Sequence, residues 1–312
     1  MKTYKVVIVG AGKIGAFFDD MDSKEVLTHA HAFQEAEQFE LVGFFDVVEE
    51  SAKKAAERWK GKYFSSLEDA MQEADVVCCT VPDAYHYDML KQIAQYPVKF
   101  VFSEKPITET PEQAKKICKL YQEKKIPLQI NYTRRYLEEF VQLKRDMEGY
   151  GTFLKGCGYY GKGILHNGSH MLDLIIYLLG SIESVEGYEK IYDFFDEDPS
   201  VEAKIKVRDG NIYLHPIDCR AATIFELELF FEKARVRILD GGSVIEIYPV
   251  MPSPVYEGYE NYIKKETRIV HYDNSFRNAV QNIYEHLEYH KELCCPMEDA
   301  KVVLELCCKL QQ

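Results

Sequence analysis

The sequence has little positive charge for its size. Among 312 residues, 38 Lys and Arg stand against 51 Asp and Glu, so the formal net charge is −13 at pH 7. A polyanion such as DNA, or an acidic membrane surface, is a poor general partner for such a chain. We therefore expect no nucleic acid among the partners. The net charge does not exclude a local basic pocket that binds a phosphate.

Long hydrophobic runs are also missing. The chain starts MKTYKVVIVG, and its apolar run ends at Gly10 after about five residues, too few for a signal-peptide core or a membrane span. No later run approaches a spanning length. The sequence predicts a cytoplasmic protein with no membrane partner.

The nine cysteines form no C-x-x-C pair, although three adjacent pairs occur: Cys78/Cys79, Cys294/Cys295 and Cys307/Cys308. Neighbouring cysteines are poorly placed to staple loops or to build a zinc knuckle. Reduced and mostly buried thiols are the simple interpretation.

Strand and helix patterns alternate in the first part of the chain. Short β-branched or aromatic runs stand at 6–9, 41–45, 62–64, 75–81, 98–102 and 128–130. Helical patterns lie between them, and the one at 110–125 opens with Thr110 as N-cap, Pro111 next and Gln113 at the third position. This alternation predicts an α/β domain over residues 1–131, with a parallel sheet covered on both faces.

The pattern changes after residue 131. Two helical stretches at 137–148 and 170–180 precede period-two runs such as AATIFELELFF at 221–231. The segment 234–249 is typical of a hairpin that turns at Asp240-Gly241-Gly242, and the stretch from Ser275 onward is helical again. We predict a second domain of α+β type, mostly antiparallel, over residues 132–312.

A glycine motif follows the first predicted strand. VVIVGAGKIG places Gly10, Gly12 and Gly15 in G-x-G-x-x-G spacing, with Lys13 and Ile14 inside the motif. The motif is weak alone, but here it ends a predicted strand and opens a predicted helix, as in dinucleotide-binding domains. Such a turn lets the backbone approach a pyrophosphate at a helix start. The alternative is a glycine turn that binds nothing.

Asp46 ends the second predicted strand, where a carboxylate accepts hydrogen bonds from ribose hydroxyls and repels a 2′-phosphate. The following VVEES contains no Lys or Arg, so we expect NAD as cofactor in preference to NADP. Asp46 lies 31 residues after Gly15, longer than the usual ~20. A loop inserted at 19–28, followed by a helical segment at 29–39, explains the difference.

Four further segments complete a family resemblance: TVPDAYH (80–86), SEKPIT (103–108), HNGSHMLDL (166–174) and CPMEDAKVVLELCCKL (295–310). With the glycine motif they resemble the glucose-fructose oxidoreductase / inositol dehydrogenase / MocA family over nearly the whole chain. The resemblance implies an N-terminal Rossmann domain followed by an α+β domain with a large open, mostly antiparallel sheet. It also implies a homodimer or homotetramer formed through that sheet.

The resemblance also assigns cofactor contacts to residues beyond the fourth and fifth strands: Thr80, Pro82, His86, Glu104 and Lys105. Pro106 is often cis in relatives. Lys105 would hydrogen-bond the substrate hydroxyl that becomes a carbonyl, because an ammonium stabilises a developing alkoxide. The alternative for Lys105 is a surface lysine that follows a strand.

The HNGSH segment carries the second group of candidates. The family pattern D-x-G-x-H-x-x-D aligns its catalytic histidine with His170 and its last aspartate with Asp173, while His166 stands where an aspartate is usual. His166 is thus an expected substrate contact of altered chemistry. A metal clamp is the weaker alternative, and we expect no metal. In a third interpretation, Asn167 or Ser169 merely caps a helix.

These motifs predict an NAD-dependent oxidoreductase that acts on a secondary alcohol of a sugar, sugar nucleotide or polyol, or runs the reverse reduction. Lys105, His170 and Asp173 are the predicted catalytic residues, and Arg134 or its neighbour Arg135 could pair with an anionic substrate group. The alternative function is a dinucleotide-bound sensor without turnover. The sequence identifies neither the substrate nor the direction of the reaction.

Overall fold

The computed structural model describes residues 3–312, which divide into two compact units. The first unit runs to Tyr136 and takes up Asp273–Val302, and the second comprises Leu137–Tyr272 and Val303–Gln312. The domain boundary predicted after residue 131 stays a prediction. The two units differ from it mainly because residues 273–302 belong to the first unit. No helix within residues 3–312 has the length and apolar character needed to cross a membrane.

The described residues form nine α-helices: α1 His29–Glu35, α2 Glu49–Trp59, α3 Leu67–Glu73, α4 His86–Ile93, α5 Pro111–Lys124, α6 Glu138–Met147, α7 Ser169–Leu179, α8 Ser275–Tyr289 and α9 Met297–Gln311. The strands are β1 Tyr4–Val9, β2 Phe39–Phe45, β3 Lys62–Tyr63, β4 Val76–Cys79, β5 Phe100–Ser103, β6 Leu128–Ile130, β7 Phe153–Tyr160, β8 Ile182–Ile191, β9 Ser200–Val207, β10 Gly210–Pro216, β11 Phe225–Phe231, β12 Ala234–Leu239, β13 Val244–Pro252, β14 Glu260–Tyr262 and β15 Glu266–Ile269.

The first unit is built on a parallel sheet of order β3-β2-β1-β4-β5-β6. This is the strand order of a Rossmann fold, and it confirms the predicted fold class. Val6–Val9 of β1 are fully buried, as expected for a parallel strand covered on both faces. Because all six strands run the same way, the segments after β1, β2, β4 and β5 emerge at one edge of the sheet.

Helix α5 begins as its sequence predicts. The Thr110 hydroxyl accepts a hydrogen bond from the Gln113 backbone N–H, and the Gln113 side chain accepts one from the Thr110 N–H, each at 3.3 Å. Pro111 occupies the first helical position, where no hydrogen bond is lost. Such a cap stabilises a helix by about 1 kcal/mol.

The helix expected directly after the glycine motif is much shorter than predicted. A single π-helical turn, Lys13–Phe17, is followed by an irregular stretch that ends at α1. Asp19 fixes this stretch, since its carboxylate accepts hydrogen bonds from the Leu27 N–H (2.6 Å) and the Thr28 hydroxyl (2.5 Å). Thr28 then caps α1. The inserted loop and second helix are confirmed, but a five-residue turn gives almost no helix dipole for binding an anion.

The second unit contains the nine-stranded sheet, ordered β14-β13-β12-β11-β7-β10-β9-β8 with β15 beside β13. The β7–β10 pair is parallel and the other pairs are antiparallel, which confirms the mostly antiparallel α+β prediction. In β11 and β12 buried and half-buried residues alternate, so one face of the sheet is packed. The hairpin turns at Asp240–Gly242 as predicted, whereas β11 begins only at Phe225.

Candidate cofactor and active site

The glycine turn after β1 is closely packed at two of its three glycines. Gly10 has φ +101°, and a Cβ there would lie 2.6 Å from the Thr80 carbonyl carbon. A Cβ on Gly15 would lie 2.5 Å from the Gly10 carbonyl oxygen. A Cβ on Gly12, in contrast, would meet no atom within 4 Å. Gly10 and Gly15 therefore serve the fold, and Gly12 faces open space that a ligand can enter.

Thr80 supports this turn from the next strand. Its hydroxyl donates a hydrogen bond to the Gly10 carbonyl at 2.5 Å, and its backbone N–H donates to the Val9 carbonyl at 2.8 Å. Lys13 is exposed and Ile14 is half-buried on the π-helical turn. Thr80 thus fixes the turn, and its predicted contact with the cofactor, like those of Lys13 and Ile14, stays a prediction.

Asp46 links the end of β2 to the glycine turn. Its two carboxylate oxygens accept hydrogen bonds from the Ala11 N–H (2.7 Å) and the Val48 N–H (2.8 Å). Each oxygen keeps a further lone pair, so the half-buried carboxylate can also accept from ribose hydroxyls. The open space at Gly12 and this oriented acceptor fit the pyrophosphate and the adenosine ribose of a nicotinamide dinucleotide.

His86 connects the loops that follow β4 and β5. It opens α4 as predicted, and its fully buried ring lies between two backbone carbonyls, with Nδ1 2.5 Å from the Pro106 oxygen and Nε2 2.9 Å from the Val81 oxygen. The Lys105–Pro106 peptide is cis, as the resemblance implies. The ring of His86 therefore braces the loop that presents Lys105, while Pro82 is exposed. Direct cofactor contacts by His86 and Pro82 stay predictions.

Glu104 and Lys105 follow β5 at the same sheet edge. The Glu104 carboxylate accepts hydrogen bonds from His29 Nε2 (2.8 Å) and Asn131 Nδ2 (2.7 Å). Burial raises the pKa of Glu104, but these hydrogen bonds and the positive charge of Lys105 outweigh burial and hold the pKa below its usual value. At neutral pH the predicted catalytic lysine is therefore adjacent to a carboxylate anion.

The HNGSH segment belongs to the second unit and combines two helix types. His166 lies on the π-helical segment Gly163–Gly168, and α7 starts at Ser169 and carries His170 and Asp173. Asp173 is 1% exposed. Because Lys105 belongs to the first unit and His170 to the second, a catalytic site shared by them stays a prediction.

The two alternatives for this segment find no support in its geometry. Asn167 donates a hydrogen bond to the Gly161 carbonyl at 3.0 Å, and the buried Ser169 hydroxyl makes none with the part of the chain that the structure describes, so neither side chain caps α7. Within residues 3–312 no group of three or more His, Cys, Asp or Glu side chains is arranged to hold a metal ion.

Asp198 holds the start of the HNGSH segment. Its carboxylate accepts hydrogen bonds from the Leu165 and His166 N–H groups, both at 2.9 Å, and from the Gln311 side chain at 3.0 Å. Burial raises the pKa of Asp198, and the hydrogen bonds offset this only in part. Asp198 therefore fixes the backbone that carries His166.

Asp193 holds the residues just before that segment. Its carboxylate accepts hydrogen bonds from the Lys162 N–H (2.7 Å), the Cys219 N–H (3.1 Å) and the Ser200 hydroxyl (2.9 Å). Burial raises its pKa, but these donors outweigh burial and lower the pKa below its usual value. Asp193 and Asp198 both lie in the connection between β8 and β9, and their pKa values are shifted in opposite directions.

We expect Asp193→Asn and Asp198→Asn to change the free energy of unfolding with opposite pH dependence. Ionised Asp193 stabilises the fold above its unfolded-state pKa, and this contribution disappears as pH falls through the lower folded-state pKa. For Asp198 the folded-state pKa is the higher one, so its contribution is complete at acid pH and declines as pH rises.

Urea unfolding followed by circular dichroism between pH 7 and about pH 2.5 measures this difference, because Asp193 loses its contribution only below the pKa of ~3.9 of an unfolded aspartate. Each variant should lose about 1–3 kcal/mol where its carboxylate contributes most. On acidification the loss in Asp193→Asn should shrink while the loss in Asp198→Asn grows. Parallel profiles for the two variants would contradict the assigned directions.

The two candidate arginines differ in their surroundings. Arg135 is 3% exposed, and its guanidinium donates hydrogen bonds to the Asp299 carboxylate (2.5 Å) and the Cys294 carbonyl (3.1 Å). This contact is structural, because removing the half-exposed Asp299 would leave the buried Arg135 charge uncompensated. Arg134 is half-buried, and its predicted substrate contact stays a prediction.

Comparison with known proteins gives a family match for the N-terminal part of the chain. Residues 4–132 match the family described as "Oxidoreductase family, NAD-binding Rossmann fold", with the short name GFO_IDH_MocA. Over these residues the chain matches the glucose-fructose oxidoreductase / inositol dehydrogenase / MocA family that its motifs resemble. The matched residues include the glycine turn, Asp46, Thr80 and the Glu104-Lys105 pair.

The individual curated relatives are distant from the chain. It is 29% identical over 153 residues to scyllo-inositol 2-dehydrogenase (NAD(+)) of Bacillus subtilis, covering 43% of this chain and 44% of the relative. It is 27% identical over 210 residues to D-glucoside 3-dehydrogenase of Escherichia coli, covering 59% and 57%. The chain thus spans about half the length of the curated relatives it matches.

A solved structure extends the similarity in fold to the whole chain. UDP-N-acetylglucosamine 3-dehydrogenase from Acidithiobacillus ferrooxidans superposes with a TM-score of 0.80, covering 100% of this chain and 97% of that one. At 17% identity this shows a shared fold and nothing about the substrate.

Sequence reasoning missed His29, which contacts Glu104, and Asp198, which contacts the His166 backbone. His29 lies 75 residues from Glu104, and Asp198 lies 32 residues from His166. One local signal was available for His29, because Thr28 is a good N-cap residue and places His29 at a helix start. For Asp198, an acidic residue within DFFDED, no pattern indicates its backbone partners.

Proposed function

We propose that the protein is an NAD-dependent oxidoreductase that acts on a secondary alcohol of a sugar, sugar nucleotide or polyol, or catalyses the reverse reduction. One observation supports this most strongly. Three features lie at a single edge of the parallel sheet. They are the open space at Gly12 after β1, the Asp46 carboxylate after β2 and the Glu104-Lys105 pair after β5. Family relatives named as inositol and glucoside dehydrogenases agree with this substrate class.

Each candidate residue has a separate role in the proposed reaction. The bound nicotinamide supplies an acceptor for the hydride from the substrate carbon. Lys105, as a cation, stabilises the oxygen charge that develops when the hydroxyl becomes a carbonyl. His170 takes the hydroxyl proton, and Asp173 orients the His170 ring. His166 binds a substrate hydroxyl, offering one donor and one acceptor where a carboxylate offers acceptors alone.

The reaction is tested by a substrate screen. Purified protein with NAD⁺ is incubated with free sugars, inositols, diols and nucleotide sugars, and NADH absorbance is recorded. Turnover is expected with at least one of these classes. Tight NAD binding by calorimetry with no turnover on any class would contradict the proposal and favour a non-catalytic sensor.

NAD is the proposed cofactor, and Asp46→Ala tests this choice. Loss of the carboxylate removes the acceptor for the ribose hydroxyls and the repulsion of a 2′-phosphate. We expect NAD⁺ to bind about tenfold more weakly, a loss of about 1.4 kcal/mol, and NADP⁺ to gain relative to it. Calorimetry with both nucleotides measures the ratio. Equal affinities in the unmodified protein would contradict the preference.

We also propose that the protein forms a homodimer or homotetramer through the half-exposed face of the nine-stranded sheet. That face carries charged side chains in alternation, among them Glu228, which contacts Arg235 on the neighbouring strand. Light scattering should give two or four times the 36.2 kDa mass of one chain. A single-chain mass at micromolar concentration would contradict this.

A further inference from the structure

His29 is a buried histidine for which the proposed reaction has not yet given a role. It is the first residue of α1 and is fully buried. The rings of Phe102 and Phe276 both meet it edge-on, with centroids 4.9 Å away in each case. These contacts fix the plane of the imidazole, so its Nε2 is held 2.8 Å from Glu104 Oε1.

The hydrogen bonding of His29 determines which of its ring nitrogens carries the proton. Its Nδ1 is buried without a hydrogen-bond partner among residues 3–312. A proton on Nδ1 would be a buried donor with no acceptor, which costs about 1–3 kcal/mol. The site therefore favours the tautomer with the proton on Nε2, and the ring donates to Glu104.

Asn131 makes the second hydrogen bond to the same carboxylate oxygen. It is 3% exposed, follows β6, and donates from Nδ2 at 2.7 Å to Glu104 Oε1. The amide keeps this orientation although its own oxygen is buried without a partner among the described residues, because a carboxylate requires a donor. Two buried donors on Oε1 hold Glu104 as an anion, and Oε2 is turned toward the Lys105 backbone N–H at 3.4 Å.

The other titratable groups near Glu104 are Lys105 and two thiols. Cys78 and Cys79 end β4, and burial raises the pKa of both thiols, to about 12 for Cys79, so they carry no charge at neutral pH. Lys105 is the neighbouring charge that a fixed Glu104 anion can influence. A carboxylate anion beside a lysine favours the charged ammonium form.

We propose that His29, with Asn131, is a positioning residue: it fixes the Glu104 carboxylate beside Lys105 and so keeps Lys105 a cation where charge develops on the substrate oxygen. The role of the Lys105 cation rests on the proposed function, whereas the link from His29 to Lys105 can be measured without turnover. His29 acts through Glu104 and touches neither substrate nor cofactor in this account.

Two substitutions at His29 separate hydrogen bonding from packing. His29→Phe keeps a ring between Phe102 and Phe276 but removes the donor. His29→Gln loses the ring and keeps a donor, since its Nε2 is the same number of bonds from the backbone as the histidine Nε2. Asn131→Leu removes the other donor and replaces His29→Phe if that variant does not fold.

Competitive labelling with acetic anhydride, read by mass spectrometry of the peptide that carries Lys105, measures its neutral amine fraction. At pH 7.5 we expect labelling of Lys105 to be about three- to tenfold faster in His29→Phe than in the unmodified protein, with His29→Gln unchanged. Asn131→Leu should resemble His29→Phe. The exposed Lys91 on α4 serves as the internal reference.

Turnover provides the second measurement. With a substrate found by the screen, His29→Phe should lower kcat about tenfold or more, with the KM for NAD⁺ within about twofold, and His29→Gln should restore kcat. Equal Lys105 labelling in all variants, or equal effects of Phe and Gln, would overturn the positioning role. Absence of turnover in the unmodified protein would overturn the proposed function alone, since labelling still tests His29.

Discussion

Lys105→Met should lower kcat by about 10²–10⁴-fold, the range for losing a group that stabilises charge or moves a proton in the transition state. Methionine has nearly the same length and no charge, so the loop that follows β5 should keep its shape. NAD⁺ affinity should stay within a few-fold, because the proposed role of the ammonium begins when charge develops on the substrate oxygen.

Steady-state kinetics on the best substrate from the screen, together with calorimetry for NAD⁺, measure both quantities. Lys91→Met is the matched control: it makes the same change on the exposed surface of α4 in the same unit and should leave both unaltered. Turnover by Lys105→Met within a few-fold of the unmodified protein would remove Lys105 from the mechanism.

Gly12→Ala and Gly10→Ala should fail in different ways, although both add one methyl to the same turn. Around Gly12 the methyl meets no atom within 4 Å, so the fold should persist, but the methyl fills the space that the pyrophosphate needs. Overpacking of about 1–3 kcal/mol would weaken NAD⁺ binding about 5- to 150-fold. Calorimetry and thermal unfolding together distinguish this from a loss of fold.

In Gly10→Ala the methyl would lie 2.6 Å from backbone atoms of Thr80 and Val81, on a residue with φ +101°. Strain and overpacking together should cost roughly 3 kcal/mol or more of unfolding free energy. A thermal midpoint that falls for Gly10→Ala and holds for Gly12→Ala fits the two roles. The reverse order would show that the turn is packed differently.

Short sequence patterns predicted much of the first unit. The strand at 6–9, the glycines after it and Asp46 at the end of β2 are read from a few neighbouring residues, and α5 begins at the predicted capping box. Even so, the helix predicted at the glycine motif is a five-residue turn, Lys13–Phe17, because the Asp19 side chain holds an irregular loop between this turn and α1. The partners of Asp19 could not be read from the sequence.

Contacts that are distant in sequence explain what the motifs did not predict. His29 contacts Glu104 because α1 packs on the sheet. Arg135 pairs with Asp299, which lies 164 residues away in sequence. The Asp198 contact with the His166 backbone depends on β9 returning beside that segment. No period or spacing encodes such partners, so motif reading finds the candidate residues and leaves their supporting groups unknown.

The most direct test of the account is a calorimetric titration of the unmodified protein with NAD⁺ and NADP⁺, with Gly12→Ala as the control that keeps the fold. We expect one NAD⁺ site per chain with micromolar affinity, at least tenfold weaker binding of NADP⁺, and a large loss of NAD⁺ affinity in Gly12→Ala. Absence of binding by either nucleotide to folded protein would contradict the account, because every proposed residue role depends on a dinucleotide at that sheet edge.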